Sequence, residues 1–195
     1  MRKESEKASG KERGNKPEGQ ANANAVDMLK ADHDKVKDLF AQCERSSEGE
    51  QEGLAQQIFQ ELEVHAALEE EIFYPAVRDQ IDPEDLVAIE DDEEDEDSDE
   101  GEDVESNEEL GEGVIAVAYE EHKAVKELIR ELRQMGSKDE QFKEKFAELK
   151  EDVLDHVSEE EDVIFPAELL KLDVAGLGAQ MQKRKMDLMS AAANR

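Results

Sequence analysis

A single cysteine, Cys43, and no tryptophan occur in the 195 residues. A lone cysteine excludes an internal disulfide and suits a reducing compartment, so the cytoplasm is the expected location. Aromatic residues make up 4% of the chain while charged residues make up 41%. That balance argues against a β-sandwich and for a helical protein. No apolar run approaches the ~18 residues of a membrane span, and Met1 to Gln20 lacks the apolar stretch of a secretory signal. Bases are scarce too: 24 Lys and Arg face 55 Asp and Glu, for a net charge of -31. Phosphate is repelled by such a surface, which disfavours nucleic acid as a partner.

What is present is helical periodicity. Leu29, His33, Val36, Phe40 and Cys43 recur at spacings of three and four. So do Leu54, Ile58, Leu62, His65, Glu69 and Ile72, then Ile115, Ala118, His122, Val125, Ile129 and Leu132. A fourth set runs Phe142, Phe146, Leu149, Val153, His156, Glu160 and Val163. Four such stripes predict an all-α bundle. Gly136 can end the third helix, and Ser137 with Glu140 reads as a capping box for the fourth. Asp82 and Pro83 open a short extra helix reaching Ile89. Residues 1–22 are too polar to fold alone and are expected to be a disordered tail. The bundle domain is expected over 23–172. Residues 173–195 form an extension, with a fifth helix from Val174 to Met189. Between the second and third helices, fifteen of the twenty residues from Glu90 to Glu109 are acidic. Self-repulsion should keep that insert extended and solvated, and a basic protein is the partner it would suit.

The two halves repeat. Asp32-His33-Asp34-Lys35-Val36-Lys37 matches Glu121-His122-Lys123-Ala124-Val125-Lys126, and the segment from His65 to Ala76 matches that from His156 to Ala167. Each helical hairpin is one copy of a unit, and two copies face to face would give a pseudo-two-fold bundle.

All four histidines fall on the apolar stripes. Scattered over heptad positions, four would do so with a chance of roughly 1%. Glu69 and Glu160 join them, each one turn after a histidine on the same face. One buried histidine is commonly satisfied by a carbonyl or carboxylate, but the set is different. Two buried, unpaired glutamates would cost roughly several kcal/mol each. Metal ions accept neutral imidazole nitrogen and carboxylate oxygen together, a donor mix that suits iron, manganese or zinc. Pseudo-symmetry gives two ligand sets of two histidines, with both carboxylates on the axis able to bridge ions roughly 3.5–4 Å apart. Structural zinc usually takes four closed, Cys-rich ligands. The residues three before each histidine are Lys30, Leu62, Tyr119 and Val153, so the Glu-x-x-His pairs of other di-iron bundles are absent.

A histidine followed by His-x-x-x-Glu, twice over, resembles the hemerythrin HHE cation-binding family. His33, His65 with Glu69, His122, and His156 with Glu160 carry that resemblance across residues 25 to 170. It implies an up-down-up-down four-helix bundle and a metal site of those six residues holding two iron ions. The implied function is binding or sensing dioxygen or a related small ligand; the alternatives are an enzyme acting on peroxide or nitric oxide, or an iron reservoir. Oxygen carriers of the family have an extra histidine four residues from the third-helix histidine, where this chain has Ala118 and Lys126. They place the last carboxylate five residues after its histidine, which here is Glu161. Either glutamate can ligate, and Glu160 is preferred because the repeat aligns it with Glu69. Some iron-sensing relatives carry a glutamate after the second histidine, where this chain has Ala66. Such a centre has more open positions than an oxygen carrier, which favours reactivity or metal exchange. Asp32, Glu121 and Asp155 neighbour the histidines and could accept from them, but are read first as charges facing solvent; Tyr119, which could hydrogen-bond a bound ligand, is read first as an aromatic at the bundle edge, and Cys43 as a packing group rather than a redox group.

Overall fold

A computed structural model describes residues 24–80, 107–136, 139–166 and 171–193. Helix α1 spans Ala25–Arg45 and opens on Asn24, whose side chain accepts from the Asp27 N–H. Helix α2 spans Glu48–Leu68. Ser47 starts it, with its N–H and hydroxyl both donating to the Glu50 carboxylate. Only Ser46 and Ser47 join the two, so α1 and α2 form an antiparallel hairpin. Helix α2 runs into a π turn, Glu69–Phe73, and then α3, Tyr74–Gln80. Helix α4 spans Asn107–Leu132 and α5 spans Glu140–Glu159, which also runs into a π turn, Glu160–Ile164. Helix α6, Val174–Ala193, is the expected fifth helix, extending four residues past Met189.

Helices α4 and α5 pack as the second hairpin, and α1 against α5 and α2 against α4 close the four-helix bundle. Helix α6 lies outside it, against α1 and α2. The apolar stripes turn inward as their periodicity requires, and they fill two clusters. One is built on Leu29, Leu68, Phe73, Ile115 and Phe165, and α6 adds Met181 to it. The other is built on Phe40, Ile58, Phe59, Ile129 and Leu149. The histidines lie in the layer between them. Among the described residues no helix is long and apolar enough to cross a membrane.

Three boundaries differ from the sequence reading. Helix α4 begins at Asn107, so the last three residues of the acidic run are helical; Glu108, Glu109 and Leu110 are good helix formers. Helix α5 is capped by Asp139, whose carboxylate accepts from the Gln141 N–H at 3.1 Å. That puts the cap two residues after Ser137, which lies outside the described residues. The third difference is the pair of π turns. Each inserts one residue, so the inward stripe slips from Ile72 to Phe73 and from Val163 to Ile164. Tyr74 and Phe165 close the π turns by donating to the Glu69 and Glu160 carbonyls, and the next residues, Pro75 and Pro166, have no N–H to donate. The Glu70 carbonyl instead accepts from the Tyr119 hydroxyl at 3.2 Å. The tail over 1–22, the helix expected from Asp82 to Ile89 and the rest of the acidic run lie outside the described residues.

Candidate metal centre

His33 on α1, His65 on α2, His122 on α4 and His156 on α5 all project from mid-helix into the bundle and are buried. The Nε2 atoms of His33 and His65 are 3.1 Å apart, and those of His122 and His156 are 3.0 Å apart. Glu69 and Glu160 open the two π turns and reach the same layer, 0% and 1% exposed. One oxygen of Glu69 lies 3.1 Å from His65 Nε2 and 3.3 Å from His122 Nε2. One oxygen of Glu160 lies 3.1 Å from His33 Nε2 and 3.5 Å from His156 Nε2. Each glutamate thus touches one histidine of either hairpin. All six residues singled out in the sequence converge here.

The outer nitrogens explain the orientation of the rings. His33 Nδ1 meets Glu161 at 2.9 Å, His122 Nδ1 meets Glu70 at 2.9 Å, and His156 Nδ1 meets Glu121 at 2.7 Å. A carboxylate on Nδ1 holds the proton there and leaves Nε2 facing inward as a donor to metal. Each π turn therefore supplies two neighbouring glutamates that grip both nitrogens of one imidazole in the opposite hairpin. Glu69 and Glu70 hold His122; Glu160 and Glu161 hold His33. Glu161 occupies the Nδ1 side and Glu160 the Nε2 side, with Glu160 at the position aligned with Glu69. Lys126 and Lys37, one turn after His122 and His33, pair with Glu70 and Glu161.

Three charges read as solvent-facing divide. Asp155 is exposed, but Asp32 is buried and Glu121 binds His156. On α1 and α4 the residue one before the inward histidine points about 100° away, toward the neighbouring helix of its own hairpin, where the next histidine sits. Repetition of the acid and of the lysine in both halves was the available signal. Tyr119 sits at the edge, its ring edge-on to Tyr74 at 5.4 Å.

Tyr74 is the residue that sequence reasoning missed. It is fully buried, its hydroxyl donates to the second Glu160 oxygen at 2.6 Å, and it lies 3.5 Å from His122 Nε2. Burial, together with the Glu69 and Glu160 charges, pushes the phenol above its ordinary range and keeps it protonated. Its counterpart in the repeat is Phe165, and the two rings stack on His122 and His33 in the same way.

The donor set fits metal ions. Among the described residues, both Glu69 oxygens and one Glu160 oxygen are buried without a hydrogen-bond partner. Native proteins rarely leave such atoms unsatisfied, and carboxylates least of all. Two groupings have ligand atoms close enough to hold an ion: His33, His65, Glu69 and Glu160, and Glu69, His122 and His156. Without metal, protons are the substitute. Burial pushes the His65 imidazolium down, but Glu69, Asp32 and Glu160 together outweigh it and hold the pKa at about 10. His122 is likewise opposed by burial and raised to about 9 by Glu69 and Glu70.

The family model described as Hemerythrin HHE cation binding domain matches residues 24–168. The chain belongs to the hemerythrin HHE cation-binding family. The six convergent residues lie within the matched span, whereas α6 lies beyond it. A solved hemerythrin HHE cation-binding domain-containing protein from Mycobacterium kansasii shares the fold, with a TM-score of 0.64 at 22% identity. The match covers 88% of this chain and 90% of that one. A protein described as a DNA nickase from Nostoc sp. (strain PCC 7120 / SAG 25.82 / UTEX 2576) is 27% identical over 145 residues, which is 74% of this chain. Those residues are 33% of the Nostoc protein, so this chain spans about a third of it.

Proposed function

We propose that this HHE protein holds two iron ions and binds or senses a small ligand such as dioxygen, peroxide or nitric oxide. His33 and His65 would hold one ion and His122 and His156 the other, with Glu69 and Glu160 shared between them. The observation that carries this is the set of buried carboxylate oxygens, without a hydrogen-bond partner among the described residues, facing four inward Nε2 atoms. The mix of imidazole nitrogen and carboxylate oxygen, with no cysteine among the grouped residues, supports iron or manganese.

When bound, the ion pair supplies open coordination positions and electrons for a small ligand. The chain's own residues supply the rest. Val36, Leu62, Val125, Val153 and Val157 line a cavity of about 20 Å³ beside the four histidines. It has room for about one water-sized molecule and limits access to small, weakly polar species. Glu70, Glu161 and Glu121 orient the imidazoles. Tyr74 holds one Glu160 oxygen and offers the only phenol within reach of the cluster among the described residues. A small, largely apolar cavity supports handling of a small ligand over bulk storage of iron. Nickase activity is not carried over from the Nostoc protein, because two-thirds of that protein lies outside the match and a net charge of -31 repels DNA.

Metal content measured together with the ultraviolet-visible spectrum tests the reading. About two irons per chain are expected, with charge-transfer bands that bleach on anaerobic reduction and return in air. Replacing both His65 and His156 by Ala should abolish the bands and the iron. Zinc alone, a single ion, or full metal content in the double variant would refute it.

A further inference from the structure

Three of the four histidines have a carboxylate on Nδ1 within 2.9 Å. His65 does not. Its Nδ1 is buried without a hydrogen-bond partner among the described residues, and the Asp32 oxygen that faces it is 3.9 Å away. By the internal repeat Asp32 stands where Glu121 stands in the other half, and Glu121 bonds His156 directly. Two differences separate the pair. Aspartate is one methylene shorter than glutamate. Asp32 is also engaged from the other side: its second oxygen accepts from the Lys185 ammonium on α6.

Helix α6 occurs once, so it breaks the pseudo-two-fold symmetry of the site. It also grips the adjoining π turn. Arg184 donates two hydrogen bonds to Glu71 at 2.6 and 2.8 Å, two residues after Glu69. Consecutive basic residues on α6 therefore hold the helix segments that carry His33 and Glu69. Met181 seats the helix, buried in the apolar cluster below.

We propose, resting on the two-ion reading above, that Lys185 of the C-terminal helix draws Asp32 away from His65 and makes the His33–His65 subsite the weaker, more exchangeable of the two. A carboxylate on the outer nitrogen of a metal-binding histidine fixes the ring and strengthens the inner nitrogen as a donor. Its loss typically lowers metal affinity about 10- to 100-fold. The His122–His156 subsite keeps that contact on both rings; the His33–His65 subsite keeps it on one. Asp32 and Lys185 are positioning residues, since both act through His65.

Stepwise binding of ferrous iron by the full-length, metal-stripped protein under anaerobic conditions, followed by release to a chelator, tests this. Wild type should bind two ions in steps separated by about tenfold or more and release one ion faster. Lys185→Met frees Asp32 and should tighten the weaker step by about tenfold, slowing the faster release. Asp32→Glu supplies the missing methylene and should do the same with Lys185 intact, so the test survives if K185M folds poorly. Asp32→Ala in the K185M background should restore the fast release. Two equal steps in wild type, or a weaker step unchanged or loosened in both K185M and D32E, would overturn the proposal while leaving the two-ion reading standing. Fewer than two ions in wild type would sink both.

Discussion

His33 and His122 are each held by two adjacent glutamates from the opposite hairpin, one on each nitrogen. The inner glutamate faces the place of the metal and the outer one fixes the proton. At the same scale, Tyr74 and Phe165 show how one oxygen atom separates two otherwise equivalent halves. Both rings stack on a histidine, but only Tyr74 donates to Glu160. Tyr74→Phe would leave another Glu160 oxygen buried without a donor. The metal-free protein should lose about 1–3 kcal/mol, read by denaturant unfolding. Its metal content should stay at the wild-type value, because the six convergent residues are untouched. Unchanged stability would show that this hydroxyl contributes nothing net.

Among the elements, the π turns decide the most. An uninterrupted α-helix would carry Ile72 and Val163 inward along the stripe that contains the histidines. The extra residue turns Phe73 and Ile164 inward instead. It also begins at the two glutamates of the site. This register slip was not legible because periodicity is counted with the α-helical repeat, and five residues are too few to reveal another one. Helix ends were legible only in part. The predicted cap at Ser137 gives way to Asp139, whose carboxylate accepts from the Gln141 N–H. Asp139→Ala should therefore cost about 1 kcal/mol in thermal or denaturant unfolding without changing metal content.

For the molecule as a whole, the buried cluster links metal, protons and stability. His65 and His122 have folded pKa values of about 10 and about 9, above the 6.5 of an unperturbed histidine. Their contribution to the metal-free fold is fully present below pH ~6.5 and is lost as the pH rises through 9 to 10. Glu69 works in the other direction. Burial opposes its charge, but His65 and His122 hold its carboxyl well below 4.5. That contribution is present above pH ~4.5 and is lost as the pH falls through the lowered value. Denaturant unfolding of metal-stripped protein across pH should therefore peak between about 5 and 6.5 and decline toward pH 10. Metal ions replace the protons, so the loaded protein should not show the alkaline decline below pH 10. A metal-free protein equally stable at pH 6 and pH 10 would contradict this.

His33, His65, His122, His156, Glu69 and Glu160 were all legible, because each falls on an apolar stripe whose period follows from helix geometry. The four-helix bundle was legible for the same reason, and the repeat made the two halves equivalent before any coordinates. The partners of those residues were not. Glu70 reaches His122 across 52 positions and Lys185 reaches Asp32 across 153. No periodic pattern encodes contacts between separate helices; they depend on crossing geometry and on where a π turn inserts its residue. The sequence by itself determined that the four histidines, Glu69 and Glu160 turn inward and which donor atoms they bring together. Tertiary packing alone decided which carboxylate meets which nitrogen, because that choice rests on ångström-scale positions set by five helices at once.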